Sequence, residues 1–262
     1  MAEMAIRRVA RGVRRRVRGP AREVPPTGSI EKELAPLEAV DRRIVERALP
    51  YTMTGVPRLA ALVGAVRYCV RRGVPGALAE CGVWRGGSVL AMALTLVELG
   101  ETDRDLYLYD TFDGMTAPSE HDVSDFDPPA LETWSGATRR GERPWSDILG
   151  VEGFDENAVR ELLVSAGYPA ERVHVVAGSV EETLPRHAPE ALALLRLDTD
   201  WYESTRHELE HLYPRLAAGG VLIVDDYGHW KGARRAVDEY FASKPPLLLS
   251  PIDYTARIAV KH

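Results

Sequence analysis

The sequence predicts an α/β protein built on a mostly parallel, doubly wound sheet, and two observations lead to this prediction. From residue 74 onward, short apolar strands alternate with helical segments, and acidic residues or glycines follow several of the strands. Parallel strands need a crossover connection, usually a helix, so the alternation favours a parallel sheet. Ligands of such sheets bind at the carboxyl ends of the strands. Functional residues are therefore expected at those ends.

The N-terminal part precedes this alternation and is predicted to contain two units. Residues 1–28 form a flexible arginine-rich segment, in which residues 1–26 carry a net charge of +6 although the whole chain carries −6. Such a segment could bind nucleic acid or an anionic membrane, or serve as a transit peptide, but a solvated tail is the simpler interpretation. Residues 29–73 form a cap of two helices, over residues 30–49 and 57–72, where apolar residues recur at helical spacing.

The main domain is predicted over residues 74–262. Its strands are expected at residues 77–81, 106–110, 173–177, 191–197 and 221–224, its helices at 87–99, 156–166, 204–216 and 233–242, and two short runs near 247–249 and 256–260. Residues 116–152 interrupt the alternation and are rich in proline, aspartate, serine and glycine. A long loop inside a compact domain is usually functional or disordered. Its place after the second strand, with Trp134 and Trp145, favours a substrate lid.

Composition excludes several classes of protein. A content of 45% hydrophobic and 27% charged residues is typical of a soluble globular chain. No apolar stretch approaches the ~18–20 residues that cross a bilayer. The two cysteines, Cys69 and Cys81, are too few for a disulfide framework and stand in no Cys/His cluster that would bind zinc. These observations predict a cytoplasmic protein without stable membrane association.

The first predicted strand passes into its helix through a glycine-rich turn, ECGVWRGGS at residues 80–88. Gly82 permits a tight turn, and the bare helix N-terminus behind it suits a carboxylate or phosphate. The spacing matches neither the GxxxxGK[ST] pattern of a P-loop nor the GxGxxG of dinucleotide-binding proteins. Asp110 ends the second strand, where an acid accepts hydrogen bonds from ribose hydroxyls in Rossmann-like folds. The turn and Asp110 together favour a ribose-containing ligand.

Three aspartates stand at the ends of two further strands. Asp198 ends the fourth strand, and Asp225 and Asp226 end the fifth. Carboxylates that converge at one sheet edge repel one another unless a cation lies between them, and oxygen ligands suit Mg²⁺, Ca²⁺ or Mn²⁺. His229, in the following loop, is a candidate general base or substrate donor, although a lone loop histidine is more often structural. A metal site is therefore predicted at these strand ends.

Several long motifs occur together in one order. They are Tyr51-Thr52-Met53-Thr54, PGALAECGVWRGGS (75–88), LYLYDTFDGM (106–115), LLRLDTDWYEST (194–205) and GGVLIVDDYGHWKGARRAVDEYF (219–241). In this combination the chain resembles the macrocin O-methyltransferase family, whose members methylate deoxysugar hydroxyls of antibiotics. The resemblance runs from about residue 50 to the end, and it does not extend to the arginine-rich segment or to residues 116–152.

The resemblance implies a class I methyltransferase fold, with a Rossmann-like sheet, and assigns roles by position. The residues implied in S-adenosylmethionine binding are Glu80, Gly82 and Ser88 at the first turn, Asp110 at the ribose, Gly178 and Ser179 beside the adenine, and Thr52 and Met53 in the segment that covers the cofactor. The implied Mg²⁺ ligands are Asp198, Asp225 and Asp226, and Asp198 is also the implied general base. Methyl transfer needs an aligned oxygen and a proton acceptor, which such a site supplies.

The hypothesis that follows is a Mg²⁺-dependent O-methyltransferase acting on a deoxysugar hydroxyl of a glycosylated natural product in antibiotic biosynthesis. One alternative keeps methyl transfer but replaces the sugar with a catechol or another non-sugar diol. A second is an NAD-binding oxidoreductase, which the missing GxGxxG disfavours. A nucleic-acid substrate is disfavoured because the chain beyond the arginine-rich segment is acidic. The family also suggests a homo-oligomer, a dimer or larger.

Overall fold

The computed structural model describes residues 27–149 and 155–262. The arginine-rich segment predicted over residues 1–28 lies outside the described residues except for its last two positions. Residues 150–154, which include the last three positions of the inserted segment predicted over 116–152, fall outside them as well. Within the described ranges, no helix is long and apolar enough to span a membrane.

The sheet has the predicted doubly wound, mostly parallel architecture. In the described part of the chain its strands are β1 (Ala77–Cys81), β2 (Leu106–Asp110), β3 (Val173–Ala177), β4 (Leu192–Leu197), β5 (Leu216–Val224), β6 (Ser250–Pro251) and β7 (Arg257–Val260), in the order β3-β2-β1-β4-β5-β7-β6. The first five pair in parallel, whereas β7 pairs antiparallel with β5 and β6. The strand order reverses between β1 and β4, the point where doubly wound sheets bind ligands.

Helices connect and cover the strands. Those in the described ranges are α1 (Thr27–Leu34), α2 (Ala39–Ala48), α3 (Val56–Arg71), α4 (Gly87–Leu99), α5 (Ala130–Arg140), α6 (Ser146–Leu149), α7 (Glu156–Ser165), α8 (Val180–Thr183), α9 (Tyr202–His211) and α10 (Lys231–Phe241). One face of the sheet packs against α2, α3, α4 and α7, and the other against α8, α9 and α10. Fully buried leucines such as Leu59, Leu90 and Leu195 fill the two interfaces. Each contributes about 1.5–3 kcal/mol through burial, so the strand ends stand on a rigid platform.

Two predicted helix boundaries are wrong, and proline explains both. The helix predicted over residues 30–49 is two helices, α1 and α2, with a break that contains Pro36. Proline disfavours helical conformation at the preceding residue and has no N–H to donate. The helix predicted over residues 204–216 is α9, which ends at His211, and Pro214 lies in the 3₁₀ turn that follows. As a result β5 begins at Leu216, five residues before the predicted strand.

The inserted segment, which the sequence indicated as a long loop, contains helices, and its role as a substrate lid stays a prediction. It contains α5 and α6. Helix α5 starts after Pro129 and ends at Gly141, which adopts the left-handed conformation with φ 68°. Glu132 in its first turn and Arg139 and Arg140 in its last turn complement the helix dipole. These end signals are local, but only Ala130 and Ala137 are buried in this helix, so no long apolar stripe marks it in the sequence.

Candidate active site

A cleft opens at the carboxyl ends of the parallel strands, as predicted. Every predicted site residue except His229 lines it: Thr52, Met53, Glu80, Gly82, Ser88, Asp110, Gly178, Ser179, Asp198, Asp225 and Asp226. These residues come from six separate parts of the sequence and meet because the strands are parallel. Which ligand each one contacts stays a prediction.

The turn after β1 is in direct contact with the end of β4. Gly82 has φ 84°, and a Cβ added to it would lie 2.0 Å from the Asp198 carbonyl oxygen. The Asp198 N–H donates a hydrogen bond of 2.9 Å to the Cys81 carbonyl. Only glycine tolerates both this backbone conformation and this approach. The two halves of the site, the β1 turn and the strand-end aspartates, are thereby fixed against each other.

The N-terminus of α4 faces the segment that was expected to cover the cofactor. Gly86 precedes the helix in the left-handed conformation, with φ 85°. A Cβ on Gly87 would lie 2.6 Å from Thr52 Cβ, so the chain around Thr52 crosses directly in front of the helix end. Ser88 is buried in the first turn, and Met53 stays partly exposed at the cleft. The free N–H groups of a helix N-terminus favour an anionic ligand group here.

Asp110 has a structural role that sequence reasoning missed. Its Oδ2 accepts hydrogen bonds from the N–H groups of Val83 (2.7 Å) and Trp84 (2.8 Å), and its Oδ1 accepts one from Phe112 (2.8 Å). The turn after β3 lies alongside, because the Gly178 N–H donates to the Asp110 carbonyl at 2.9 Å. A carboxylate has about four acceptor sites, so capacity remains for a ligand hydroxyl.

Carboxylates are concentrated at the ends of β4 and β5. Asp198, Asp225 and Asp226 each offer one oxygen, and these oxygens lie within 4.8 Å of one another. Glu80 and Asp200 line the same part of the cleft. All the donors are oxygens, the type that hard divalent cations prefer. The donor set therefore fits Mg²⁺ better than it fits zinc.

A buried arginine that sequence reasoning missed connects these acids. Arg196 in β4 is only 2% exposed, and its Nη1 contacts Glu80 Oε1 and donates to Asp198 Oδ2 at 2.7 Å. Its Nη2 donates to Asp225 Oδ1 at 2.6 Å and to the Thr54 hydroxyl at 3.0 Å. One guanidinium thus links the β1 acid, two strand-end aspartates and the segment in front of α4.

A second arginine, Arg58 of α3, reaches the same cluster. Its Nη1 contacts Asp225 Oδ2, and its Nε lies 3.1 Å from Asp253 Oδ2. Both oxygens of Asp225 therefore meet a guanidinium. A sequence signal for Arg196 did exist, since a charged residue inside the run Leu192–Leu197 needs a buried partner. Arg58 gave no comparable signal.

Burial and neighbouring charges raise the pKa of two of these aspartates and lower the pKa of the third. Burial raises the pKa of Asp198 and of Asp226 well above the ordinary value, and the nearby carboxylates add to this effect. Burial also acts on Asp225, but the charges of Arg196 and Arg58 outweigh it and lower the pKa of that group. Asp225 is thus held ionised, whereas Asp198 and Asp226 need a further cation to ionise fully.

Two further acids in the cleft titrate near neutral pH. Burial raises the pKa of Glu80 to about 7, against the opposing charge of Arg196. Its second oxygen, Oε2, is buried and has no hydrogen-bond partner among the described residues. Burial and the charge of Asp198 raise the pKa of Asp200 to about 7, and its Oδ1 accepts a hydrogen bond from Trp230 Nε1 at 2.9 Å.

His229 lies beside the cleft but does not line it. Its Nε2 is 2.8 Å from Asp127 Oδ2, and its Nδ1 is 3.1 Å from the Tyr254 hydroxyl. Its ring stacks on Phe126 with centroids 5.5 Å apart. Because both ring nitrogens are engaged, the arrangement does not favour the predicted role of His229 as a general base.

The inserted segment packs onto the site through tryptophans. Trp145 lies 5.4 Å from Trp201, which follows the end of β4, and 6.2 Å from Trp134. Trp201 in turn contacts Trp230 at 5.0 Å and donates from Nε1 to the Thr116 carbonyl at 3.0 Å. The two tryptophans that led to the lid prediction therefore do lie in its contact with the domain.

A buried aspartate gives the inserted segment a second attachment. Asp122 accepts hydrogen bonds from the Tyr202 N–H at 2.8 Å and from the Ser119 hydroxyl at 2.8 Å. A Cβ on Gly232 would lie 2.0 Å from Asp122 Oδ1, so the start of α10 admits this carboxylate only because residue 232 is glycine. The segment is thereby fastened to the N-terminal ends of α9 and α10.

The chain has relatives among known families and curated proteins. Residues 36–258 match the family Macrocin-O-methyltransferase (TylF). The 8-demethyl-8-(2,3-dimethoxy-alpha-L-rhamnosyl)-tetracenomycin-C 4'-O-methyltransferase of Streptomyces olivaceus is 36% identical over 203 residues, 76% of this chain and 72% of that protein. Mycinamicin III 3''-O-methyltransferase of Micromonospora griseorubida is 32% identical over 190 residues, 72% of this chain and 70% of that protein.

Solved structures share the architecture. The O-methyltransferase NovP superposes with a TM-score of 0.65 at 31% identity, over 80% of this chain and 82% of that chain. The calicheamicin methyltransferase CalS11 superposes with a TM-score of 0.64 at 23% identity, over 89% of this chain and 90% of that chain, and shows the fold alone. These likenesses confirm the class I methyltransferase fold.

Proposed function

Because the chain belongs to the macrocin O-methyltransferase family and is an S-adenosylmethionine-dependent O-methyltransferase, we propose that it methylates a deoxysugar hydroxyl of a glycosylated natural product in antibiotic biosynthesis. Two relatives carry names that specify a rhamnosyl-tetracenomycin and a mycinamicin acceptor. Family membership also removes the NAD-dependent alternative. The observation that carries the proposal is the strand-end aspartate cluster beside the glycine turn, which puts a proton acceptor next to the donor site.

The methyl donor fits the turn after β1. The unpartnered Glu80 Oε2 is a buried acceptor that suits the ammonium of the methionine moiety. The N–H groups at the start of α4 suit its carboxylate, and Gly82 leaves room for close approach. Asp110 would accept the ribose hydroxyls, and the turn at Gly178 and Ser179 would flank the adenine. Thr52 and Met53 would then exclude water from the front of the site.

A divalent cation fits the cluster of Asp198, Asp225 and Asp226. Five carboxylates in this part of the cleft face two guanidiniums, so all five can ionise together only if a further cation compensates their charge. We assign the three aspartates as the residues that would hold Mg²⁺. When bound, the ion would lower the pKa of the acceptor hydroxyl, orient its oxygen and keep the aspartates ionised.

In the proposed reaction, an in-line displacement, each of these residues has a separate role. The acceptor oxygen forms a bond to the methyl carbon as the carbon–sulfur bond breaks, and S-adenosylhomocysteine leaves with the electron pair. Asp198 would accept the hydroxyl proton, since its carboxylate lies among the assigned cation ligands, where that hydroxyl would bind. Arg196 holds Asp198 and Asp225 in place, so that alignment does not depend on flexible side chains.

An acceptor panel tests the proposed substrate class. Purified full-length protein is incubated with methyl-labelled S-adenosylmethionine and Mg²⁺, together with glycosylated macrolides, rhamnosides or catechols. We expect label transfer to sugar hydroxyls and none to catechols. Transfer to catechols alone would replace the sugar by the non-sugar alternative, whereas the assignment of the methyl donor would stand.

Chelation tests the cation. We expect EDTA to abolish turnover and Mg²⁺ to restore it, while S-adenosylhomocysteine binding, measured by calorimetry, persists in EDTA. Full turnover in EDTA would contradict the metal assignment. The homo-oligomer of two or more subunits stays a prediction, which light scattering of the full chain tests.

A further inference from the structure

Three aromatic rings form a cluster beside the cleft, which we call the aromatic rim: Phe126 and Tyr254, which are exposed, and His229, whose side chain is only 14% exposed. Phe126 stacks on His229, with centroids 5.5 Å apart and ring planes 17° apart, and meets Tyr254 edge-on at 5.4 Å. Phe126 is 60% exposed and Tyr254 is 55% exposed. Large aromatic side chains that stay exposed in a cluster are more typical of a binding surface than of ordinary protein surface.

The aromatic rim is tied to the strand-end aspartates by backbone hydrogen bonds. The His229 N–H donates to the Asp226 carbonyl at 3.0 Å. Tyr254 precedes Thr255, whose hydroxyl donates to the Asp225 carbonyl at 2.7 Å. The third ring, Phe126, comes from the inserted segment. The rim therefore lies directly beside the acids that receive the reacting hydroxyl.

The rings are held rigidly although two of them are exposed. His229 contacts Asp127 through one ring nitrogen and the Tyr254 hydroxyl through the other. A Cβ on Gly228 would lie 2.0 Å from the Tyr254 carbonyl oxygen, so the two turns that carry His229 and Tyr254 pack backbone against backbone. Rings that are already ordered lose little conformational entropy when a ligand stacks on them.

We propose that the aromatic rim binds the aglycone of the acceptor, through an apolar or flat ring system joined to the reacting sugar. This inference rests on the proposed function. When a sugar hydroxyl reaches Asp198, the rest of the acceptor has to leave the cleft at its edge, where the rim lies. Stacking and CH–π contacts give the rim affinity for such a ring. Three side chains are far fewer than the roughly 20–30 residues a side of a stable protein interface, so a small molecule is the fitting occupant.

The rim also gives His229 a role other than proton transfer. Its ring stacks under Phe126 and supports it, and its contact with Asp127 attaches the inserted segment to the turn after β5. On this assignment His229 is a positioning residue.

A matched pair of ligands tests the aromatic rim. Methyl α-L-rhamnoside and 2-naphthyl α-L-rhamnoside carry the same sugar and differ only in the aglycone. Their binding to the full chain is measured by calorimetry or by saturation-transfer NMR, with S-adenosylhomocysteine and Mg²⁺ at saturation. We expect the wild type to bind the naphthyl glycoside about tenfold more tightly. Phe126→Ala and Tyr254→Ala should each remove most of this preference and leave the methyl glycoside unchanged.

Controls separate the rim from a general effect on the surface. Leu248→Ala removes a side chain that is 78% exposed and lies outside the rim, and it should keep the full preference. Phe126→Leu keeps apolar bulk without the ring and should fall between wild type and Phe126→Ala. Because Phe126 is mostly exposed, its variants should unfold at the wild-type temperature, which a thermal melt checks.

The possible outcomes test the role of the aromatic rim separately from the proposed function. If the wild type binds both glycosides with equal affinity, the aromatic rim does not bind the aglycone, and the proposed function is unaffected. Binding of neither glycoside, while S-adenosylhomocysteine still binds, contradicts the sugar acceptor and the rim with it. If Phe126→Ala lowers the affinity for both glycosides equally, the ring contacts the sugar and not the aglycone, which also overturns the proposal.

Discussion

Two regions line the same cleft but are held by different forces: the strand-end core and the inserted segment. The strand-end core, formed by the ends of β1, β4 and β5, is fixed by buried ionic contacts. Arg196 alone joins Glu80, Asp198 and Asp225 while almost fully buried. Ion pairs in such a place are sensitive to the loss of any member, because the partner is left charged and buried.

The inserted segment, residues 116–149, is attached instead by aromatic contacts, by the buried carboxylate of Asp122 and by the contact of Asp127 with His229. Trp145 is its main apolar contact with Trp201, and Asp122 is its buried polar contact with α9 and α10. The comparison suggests that the two regions have different roles. The rigid strand-end core would hold the reacting groups, and the inserted segment, whose sequence can change without unfolding the domain, would select the acceptor. The predictions below test this difference.

The largest effect is expected for Asp198→Asn. The amide cannot accept the hydroxyl proton and is a weaker cation ligand, so we expect turnover to fall at least about a thousandfold. S-adenosylhomocysteine binding should change little, because the proposed donor site is the turn after β1. Single-turnover kinetics and calorimetry measure the two effects. Turnover near the wild-type level would remove Asp198 from the reaction.

The second prediction concerns stability and uses Arg196→Met. Glu80 would lose its buried partner and Asp225 one of its two, and breaking such a buried pair typically costs about 3–5 kcal/mol. Urea denaturation measures the change. The matched control is Arg206→Met on the exposed side of α9, which removes two exposed ion pairs and should cost about 1 kcal/mol or less. Equal stability of the two variants would contradict the description of the core as an ionic unit.

The third prediction turns to the inserted segment, through Trp145→Ala. Loss of this ring should loosen residues 116–149 without unfolding the domain, so we expect kcat/KM for the acceptor to fall about tenfold while the midpoint of unfolding moves little. Hydrogen exchange should increase within the segment only. Trp134→Ala, which removes the outer ring of the same stack, should have a smaller effect. Increased exchange in β4 or β5 would show that the segment and the core unfold as one unit.

Features of the fold and the site differ in how well the sequence predicts them. Strands and long helices follow from apolar periodicity, which is local, and β1 to β4 lie within one residue of their predicted positions. The site aspartates were predictable because the ends of parallel strands converge. Arg58 was not, because its partner Asp225 lies 167 residues away and no local pattern marks such a pair. Helix α5 was missed because proline and glycine surround a short segment with few buried residues.

The smallest effect we expect is a pH dependence of donor binding. Burial raises the pKa of Glu80 to about 7. On the proposed assignment the ammonium of the donor pairs with the ionised Glu80 carboxylate, so the affinity for the donor should rise as the pH increases through this value. About one tenth of Glu80 is ionised one unit below its pKa and about nine tenths one unit above, and the apparent affinity for S-adenosylhomocysteine should rise by up to about tenfold from pH 6 to pH 8.

Glu80→Gln is the control for this titration. The variant should bind S-adenosylhomocysteine more weakly at pH 8 than the wild type, and its affinity should stay nearly constant across the range, since no carboxyl is left to ionise. Calorimetry in EDTA keeps the strand-end aspartates free of cation in both proteins. A flat profile for the wild type would mean that Arg196 keeps Glu80 ionised even at pH 6. In that case the charge of Arg196 would lower the pKa of Glu80 more than burial raises it. The strand-end core would then differ even more from the inserted segment in its dependence on buried ionic contacts.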